Sequence, residues 1–344
     1  MSTQTHAFSV HEPQRTARTH RPGTIEGLPA AILRAAPAAP AAPVLTSTVP
    51  RELVHRAAVS EVLLTGWEPL DPEGSGERFV VGAQWPRGHC LFAPSGGYQD
   101  PMLLVESVRQ IGSLLAHAEF SVPFGHQFMM RDIAISTTPE LLRATPKPTE
   151  VELHTQCRDV VRRGTNLSGM RYDVTVRMGQ KALATATASF TCIAPAVYRR
   201  LRGDRSTGIP QQTGTTVDPA SVGRSGAENV VLTDEVATPG GGRSFTLRVD
   251  GSHPVFFDHP VDHIPGMVLL EAARQAAYAT TGRVGGLVTG VRSAFTRYAE
   301  LDTRCLIEAA PQETVAGRTP VRVTGVQGGT TVFTADIILS TPVR

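Results

Sequence analysis

The sequence predicts an α+β fold that is built twice in one chain, with two antiparallel sheets that each wrap a long central helix. A Glu-x-x-Arg-Gln core, set in an apolar helical segment, occurs at residues 106–110 and again at 271–275. Each copy follows two strand-like segments and precedes long segments in which apolar and polar residues alternate, the period of a half-buried strand. The 344 residues are enough for two such cores.

The chain divides into a tail, two halves and a linker. Residues 1–48 contain few aromatic residues and end in the Pro/Ala-rich stretch RAAPAAPAAPVL, which is typical of a flexible tail. Residues 199–228 are polar and rich in Gly, Thr and Ser, which predicts a linker. We therefore expect a first domain at residues 49–198 and a second domain at residues 229–344.

The two halves match element by element. The segments EVLLTGWEPLDPEGSGERFVVGAQW and NVVLTDEVATPGGGRSFTLRVDGSH each predict two strands around a turn. A loop and the apolar helix follow in both halves. Each half then closes with alternating strands, and the MGQK and QGGT stretches predict hairpin turns at corresponding places.

The first central helix is almost wholly apolar. Leu104, Val108, Ile111 and Leu115 recur at helical spacing on one face. A sheet that wraps such a helix buries it, which is the hotdog arrangement. Two covalently joined copies predict a tandem (double) hotdog, an intramolecular pseudo-dimer, and a homodimer of the whole chain stays open.

Composition excludes several classes of function. The net charge of +2 indicates neither a nucleic acid nor a membrane surface as partner. No apolar run approaches the ~18 residues of a membrane span, and the N-terminus does not resemble a signal peptide. The four cysteines include no C-x-x-C pair, which argues against a zinc ribbon or disulfide framework and suits a reducing cytoplasm. We expect no metal and no cofactor.

Charged pairs recur in the two apolar helices. Glu106 and Arg109 lie three positions apart, as do Glu271 and Arg274, so each pair shares one helix flank. A structural ion pair is one interpretation, and it contributes only about 0.3–0.5 kcal/mol when exposed. Because a buried charge must be paired or used, the second interpretation is that these flanks face a ligand tunnel at the seam between the halves.

The loops that precede the helices differ in their titratable groups. The second loop holds Asp258, His259, Asp262 and His263, whereas the first loop reads APSGGYQD. Hotdog sites form where the loop of one copy meets the helix of the other. The second loop would therefore face Glu106, and the plain loop would face the Glu271–Arg274 pair.

Structural alternatives exist for these loop residues. An acid close to a helix start caps the helix in many proteins, which applies to Asp262 and to Asp100 of the first loop. A metal site in the second loop lacks a further set of ligands at suitable spacing. For His259 and His263 we favour acid/base chemistry or hydrogen bonding to a ligand.

Two long motifs resemble a known family. FFDHPVDHIPGMVLLEAARQ and DPMLLVESVRQIGSLLAHAEFSVPFGHQFMM resemble the paired signatures of the A-factor biosynthesis hotdog family, and VPRELVHRAAVSEVLLTGW resembles its opening segment. The resemblance covers about residues 49–343. It implies a synthase of γ-butyrolactone-type signalling molecules, which transfers a β-ketoacyl group from acyl carrier protein to the hydroxyl of dihydroxyacetone phosphate before cyclisation to a butenolide phosphate.

For this reaction we expect the following roles. Glu106 or His259 would deprotonate the acceptor hydroxyl. Arg274, with Arg109, would hold the phosphate or a developing oxyanion, and Glu271 would orient Arg274. The helix start after Gly266 would donate N–H groups to the thioester carbonyl. The other residues that we expect to contact substrate are Asp258, Asp262, His263, Gln110 and Gln275.

Two other functions remain open. PVDHIPGMVLLEA is more distantly similar to the loop and helix of hotdog dehydratases that act on acyl-carrier-protein thioesters, so a dehydratase or a thioesterase is one alternative. A non-catalytic acyl-binding regulatory protein is the other. An apolar acyl tunnel alone does not need the Glu-x-x-Arg pairs in both helices, which favours the synthase.

Overall fold

The computed structural model describes residues 46–71, 77–203, 205 and 214–341. The predicted flexible tail lies outside these residues, except for its last three positions. In the part of the chain that is described, no helix is long and apolar enough to cross a membrane.

Within the described residues, the first half contains six strands and one long helix. These elements are β1 Leu64–Pro69, β2 Arg78–Trp85, α1 Pro101–Ala118, β3 Gln127–Thr137, β4 Thr149–Arg163, β5 Asn166–Met178 and β6 Lys181–Ile193. A short helix, α2, spans Pro195–Arg202.

The second half repeats the same order. Its elements are β7 Leu232–Ala237, β8 Arg243–Leu247, α3 Gly266–Thr281, β9 Leu287–Phe295, β10 Cys305–Pro311, β11 Arg318–Gln327 and β12 Thr330–Ser340.

Among the described residues, the strands of both halves form one continuous antiparallel sheet. The order is β1-β2-β4-β5-β6-β3 in the first half and β9-β12-β11-β10-β8-β7 in the second, so one half is the other in reverse. The halves join where β3 pairs with β9, from Asp132 opposite Ala294 to Ser136 opposite Gly290. This arrangement is the intramolecular pseudo-dimer expected from the repeated sequence.

Helix α1 is buried on nearly all sides because the sheet wraps around it. Fifteen of its residues are buried, which fits its apolar composition. The Asp100 side chain caps the helix by accepting the Met102 N–H, and Pro101 occupies the first turn. Gly112 allows close packing, since a Cβ there would lie 2.9 Å from the Tyr172 hydroxyl oxygen.

The segment predicted as a linker contains ordered elements. Helix α2 begins at Pro195 and ends at Arg202, inside the segment. A 3₁₀ turn, Pro219–Val222, is capped by the Asp218 side chain. The chain then reaches Arg224, whose guanidinium binds Glu271 of α3. Part of the segment therefore contributes side chains to the interior.

Candidate active site

A cavity of about 240 Å³ lies at the seam between the two halves. Helix α1 and strand β3 line one side, and the loop before α3 with the residues after β9 line the other. Much of the wall is apolar, including Phe128, Met130, Phe190, Met267, Leu270 and Phe295. The polar lining consists of His55, Arg56, Arg109, Ser113, Gln127, Asp258, His259, His263, Arg297 and Tyr298.

Glu106 lies behind this wall rather than in it. Its Oε1 accepts hydrogen bonds from Arg56 Nε at 3.0 Å and from Arg109 Nη2 at 2.7 Å, and its Oε2 accepts one from Arg109 Nε at 2.8 Å. The Gln110 amide donates to Oε1 at 2.7 Å. Burial disfavours the charge, but the two arginines outweigh burial and hold the pKa of Glu106 at about 2.

This geometry argues against Glu106 as the base. A carboxylate with so low a pKa takes up a proton poorly, and its oxygens already accept hydrogen bonds from fixed donors. Glu106 instead orients Arg56 and Arg109, whose guanidinium groups reach the cavity. Gln110 is fully buried between Glu106 and the backbone at Glu61 and Leu63, so it positions the carboxylate and does not contact the cavity.

Arg56 is a site residue that the sequence analysis missed. Its Nη1 donates to the Val255 carbonyl at 3.0 Å and lies 3.6 Å from Asp258 Oδ1, while Nη2 lies 2.7 Å from Glu106 Oε1. It therefore links α1 to the loop of the second half. The repeat held a signal for it: extending the alignment of EVLLT with NVVLT five positions toward the N-terminus pairs Arg56 with Arg224.

Asp258 and His259 form a hydrogen-bonded pair at the cavity. Asp258 Oδ2 accepts the Ala57 N–H at 2.9 Å, and Oδ1 lies 2.6 Å from His259 Nδ1. Burial disfavours the Asp258 charge, but the contacts with His259 and Arg56 hold its pKa at about 2. An ionised carboxylate only accepts, so Nδ1 of His259 carries a proton, and in the neutral ring Nε2 has the free lone pair. The His259 side chain is 44% exposed.

His55 is a second histidine of the cavity that the sequence analysis missed. It adopts a left-handed conformation (φ 53°), which is rare for a residue with a side chain. Its Nε2 lies 2.7 Å from His117 Nε2, and His117 Nδ1 lies 2.7 Å from the Val122 carbonyl oxygen. Burial, with smaller effects of His117 and Arg109, lowers the pKa of His55 to about 3.

These contacts determine the tautomers of both rings. The Val122 carbonyl only accepts, so His117 Nδ1 donates to it. Burial lowers the pKa of His117 as well, so this neutral ring presents a bare Nε2 that accepts from His55 Nε2–H. His55 is thereby left with a bare Nδ1, and its ring lines the cavity.

The remaining loop residues have different surroundings. Asp262 does not cap α3, whose N-cap is Pro265 without a side-chain bond. Asp262 instead accepts from Tyr198 Oη at 2.7 Å and from Arg202 Nε at 3.1 Å, which anchors the loop to α2. His263 contacts Asp262 through Nδ1 at 2.8 Å and lines the cavity, as does Gly266.

Glu271 and Arg274 belong to a separate buried cluster and do not line this cavity. Glu271 accepts from Arg224 Nη2 at 2.6 Å, from Arg274 Nη2 at 2.8 Å and from the Gln275 amide at 2.6 Å. Arg274 Nη1 donates to Asp100 Oδ2 at 2.9 Å. Burial raises the pKa of Glu271 to about 7 against the effect of Arg224, and the Asp100 charge adds to the rise.

The two clusters occupy equivalent positions in the repeat, but only the first has an arginine that is partly exposed. Glu106, Arg109, Gln110 and Arg56 correspond to Glu271, Arg274, Gln275 and Arg224. In the second cluster Arg274 forms an ion pair with the Asp100 carboxylate, and the Arg274 side chain is 6% exposed. In the first cluster Pro265 stands at the position equivalent to Asp100, and the Arg109 side chain is 26% exposed.

The predicted site residues thus separate into three groups. Arg109, Asp258, His259, His263 and Gly266 line the cavity together. Glu106, Gln110 and Asp262 support that wall from behind. The expectation that Arg274 and Glu271 share the site with Glu106 does not fit the structure, because Asp100 and Arg224 hold them in the second cluster, together with Gln275. In the described part of the chain, no group of three or more His, Cys, Asp or Glu side chains could hold a metal ion.

Comparison with known proteins identifies the family. The model of the A-factor biosynthesis hotdog domain matches residues 38–194 and 206–341, one segment for each half. This chain belongs to the A-factor biosynthesis hotdog family. Membership confirms the family expected from the two long motifs, and the two matched segments agree with the tandem hotdog fold.

Several members of the family carry one enzyme name. A protein of Streptomyces virginiae, named 2-oxo-3-(phosphooxy)propyl 3-oxoalkanoate synthase, is 51% identical over 299 residues, which cover 85% of this chain and 98% of that protein. Proteins of the same name from Streptomyces coelicolor and Streptomyces griseus are 39% and 37% identical. Their alignments cover 83% and 85% of this chain and 89% and 94% of those proteins.

Proposed function

We propose that this chain is a 2-oxo-3-(phosphooxy)propyl 3-oxoalkanoate synthase of γ-butyrolactone biosynthesis. It transfers a 3-oxoacyl group from the thioester of an acyl carrier protein to the hydroxyl of dihydroxyacetone phosphate. One observation carries the assignment beyond sequence similarity: His259, Arg56 and Arg109 line a cavity much of whose wall is apolar. An acyl chain, a hydroxyl and a phosphate each have a matching surface there.

The apolar wall receives the acyl chain. Side chains such as Phe128, Phe190 and Leu270 come from three different elements and enclose the space between α1, α3 and the sheet. Each CH₂ group that leaves water for such a wall contributes about 0.8 kcal/mol. Chain length therefore sets much of the affinity, and the 3-oxoacyl thioester end extends toward the polar residues.

His259 is the general base of the transfer. Its Nε2 removes the proton from the acceptor hydroxyl while the hydroxyl oxygen attacks the thioester carbon. The resulting tetrahedral oxyanion collapses, the C–S bond breaks, and the thiolate takes the proton back from Nε2. Asp258 keeps Nδ1–H oriented and stabilises the imidazolium between the two steps. His55 is the poorer base because burial lowers its pKa to about 3, so its ring takes up a proton poorly.

Arg109 and Arg56 hold the phosphate of the acceptor. Glu106 fixes both side chains through four N–O contacts of 3.0 Å or less, so their remaining N–H groups are held at the cavity with little loss of rotamer freedom. Arg297 lines the same cavity and is exposed. The first N–H groups of α3 lie at Gly266 and Met267, which also line the cavity, and stabilise the thioester oxyanion.

Product analysis tests the function directly. Purified protein is incubated with a 3-oxoacyl thioester, with and without dihydroxyacetone phosphate, and the products are identified by mass spectrometry. We expect a phosphorylated ester or its butenolide, formed only when the acceptor is present. Free acid or an enoyl thioester formed without the acceptor would instead assign a thioesterase or a dehydratase, and bound but unchanged thioester would assign an acyl-binding protein.

A further inference from the structure

Helix α2 presents an outer face that combines basic and apolar side chains. Val197 and Leu201, four positions apart, are 55% and 61% exposed. Arg199 and Arg200 are exposed next to them. The eight residues of the helix include no acid. Large exposed apolar side chains rimmed by charge are typical of a protein contact, and this charge favours an acidic partner.

The inner face of α2 is fixed to the rest of the molecule. Tyr198 Oη donates to Asp262 at 2.7 Å, and Arg202 Nη1 donates to Glu300 at 2.7 Å. The Arg202 guanidinium also lies 4.5 Å from the centre of the Tyr298 ring. Because these contacts hold both Tyr198 and Arg202, α2 cannot rotate to bury Val197 and Leu201.

Only one layer of residues separates α2 from the cavity. Asp262 accepts hydrogen bonds from Tyr198 of α2 and from His263, and His263 lines the cavity. Tyr298, which packs against Arg202, lines it too. Arg297 is exposed and lines the cavity, so basic surface is present on α2 and again where the cavity opens.

We infer that the outer face of α2 is the docking surface for the protein that carries the acyl thioester. That partner is a small carrier protein whose contacting helix is acidic with an apolar stripe, so that its acids meet Arg199 and Arg200 and its apolar residues meet Val197 and Leu201. A carrier docked there presents its thioester beside His263 and Tyr298. This inference rests on the proposed function, because it requires a carrier-bound substrate.

Kinetics with two forms of the thioester test the surface. The 3-oxoacyl group is supplied either on the acyl carrier protein or on N-acetylcysteamine, a small thiol without a protein. For the double variant Arg200→Glu/Leu201→Ser we expect the KM for the carrier-bound substrate to rise at least about tenfold, because charge reversal at a contact removes attraction and adds repulsion. The kcat/KM for the small thioester stays within about twofold of wild type, since surface changes of this kind alter stability little.

A matched control is available at the far end of the sheet. Arg318 is exposed at the start of β11, opposite Ser340, which in turn pairs with Leu287 at the start of β9. The cavity lies near the other end of β9, at Phe295. Arg318→Glu makes the same charge change as Arg200→Glu, and it should leave the KM for the carrier-bound substrate unchanged.

Several results would overturn the inference. They are an unchanged KM for the carrier-bound substrate, an equal loss with both thioesters, or an effect of Arg318→Glu as large as that of the double variant. A wild-type dimer that becomes monomeric in the double variant, with the carrier KM unchanged, would assign the face to a second copy of this chain.

If the wild type makes no ester from either thioester, the proposed function fails. Docking is then decided by titrating fluorescently labelled acyl carrier protein into wild type and double variant, where equal affinity refutes it.

Discussion

At the scale of single residues, the two glutamates of the repeat show how surroundings decide chemistry. Glu106 and Glu271 occupy equivalent positions and each contacts two arginines and a glutamine. The pKa of Glu106 is held at about 2, whereas burial and the neighbouring Asp100 raise that of Glu271 to about 7. Neither carboxylate lines the cavity, so the base must be sought among its histidines.

Two histidine variants distinguish the candidate bases. We expect His259→Gln to lower kcat by roughly 10²–10⁴-fold, the usual contribution of a general base. His55→Gln should lower kcat by less than about tenfold, because the neutral ring of His55 accepts protons poorly. His154→Gln, on β4 outside the cavity lining, is the control and should retain wild-type rates. Steady-state kinetics of the three variants measures this, and a larger loss for His55→Gln would transfer the role of base to His55.

His55 also makes stability depend on pH. Its folded-state pKa of about 3 lies below the ordinary 6.5, so unfolding takes up a proton and stability falls as the pH falls below about 6.5. Between pH 6.5 and 5 this loss is about 2 kcal/mol. Glu271 acts in the opposite direction in this window, since its raised pKa makes stability fall as the pH rises.

Because Glu271 opposes His55, the contribution of His55 is measured as the difference in unfolding free energy between wild type and a His55 variant. Urea unfolding of wild type and His55→Gln is measured at several pH values between about 5 and 7. We expect the free energy of unfolding of wild type to decline toward pH 5 more steeply than that of the variant. Parallel curves would show that His55 takes up no proton on unfolding in this range.

At the scale of elements, the start of α1 decides which of the two clusters is open. Asp100 caps α1 through the Met102 N–H with one carboxylate oxygen and binds Arg274 of α3 with the other. The start of α3 has Pro265 at that position, and the proline side chain has no carboxylate that could bind Arg109. The identity of one helix-capping residue thus decides whether the arginine faces the cavity or is held in a buried ion pair.

Removing the Asp100 charge should destabilise the protein strongly. In Asp100→Asn a capping side chain remains, but Arg274 keeps only Glu271 as a carboxylate partner in a buried site. Loss of this hydrogen bond between charged groups costs roughly 1.5–3 kcal/mol. Asp218→Asn is the control, because the exposed Asp218 caps a 3₁₀ turn without an ion pair, and we expect a cost below about 1 kcal/mol. Urea unfolding measures both. Equal losses would mean that Asp100 acts only as a cap.

At the scale of the whole molecule, the halves share both a sheet and a set of crossing contacts. Strand β3 pairs with β9 across the seam. Arg56 of the first half donates to the Val255 carbonyl of the second, and Arg224 donates in the same way to the Leu91 carbonyl of the first. In each buried ion cluster, an arginine therefore binds a backbone carbonyl of the other half.

This interdependence predicts a single unfolding transition. We expect urea unfolding followed by tryptophan fluorescence to coincide with unfolding followed by circular dichroism. Trp67 and Trp85 both lie in the first half, so the fluorescence reports that half alone, whereas circular dichroism reports both. Two separated transitions would show that the halves are stable independently.

Sequence patterns alone are sufficient to predict the doubled α+β fold, the family and the loop that carries titratable groups. These features are local: periodicity marks each strand and helix, and each motif is contiguous. The His259–Asp258 pair could be predicted for the same reason, since the two residues are neighbours in the chain.

Which charged side chains share a site depends on the packing of distant segments. Arg56 meets Glu106 across 50 positions, and Asp100 meets Arg274 across 174 positions. These pairings depend on how two helices, two loops and a shared sheet pack, and no local pattern encodes them. The predicted set of Glu106, Glu271 and Arg274 therefore divides between two clusters. Arg109 and Arg56 line the cavity, because the Glu106 carboxylate that binds them lies on the side of the arginines away from the cavity.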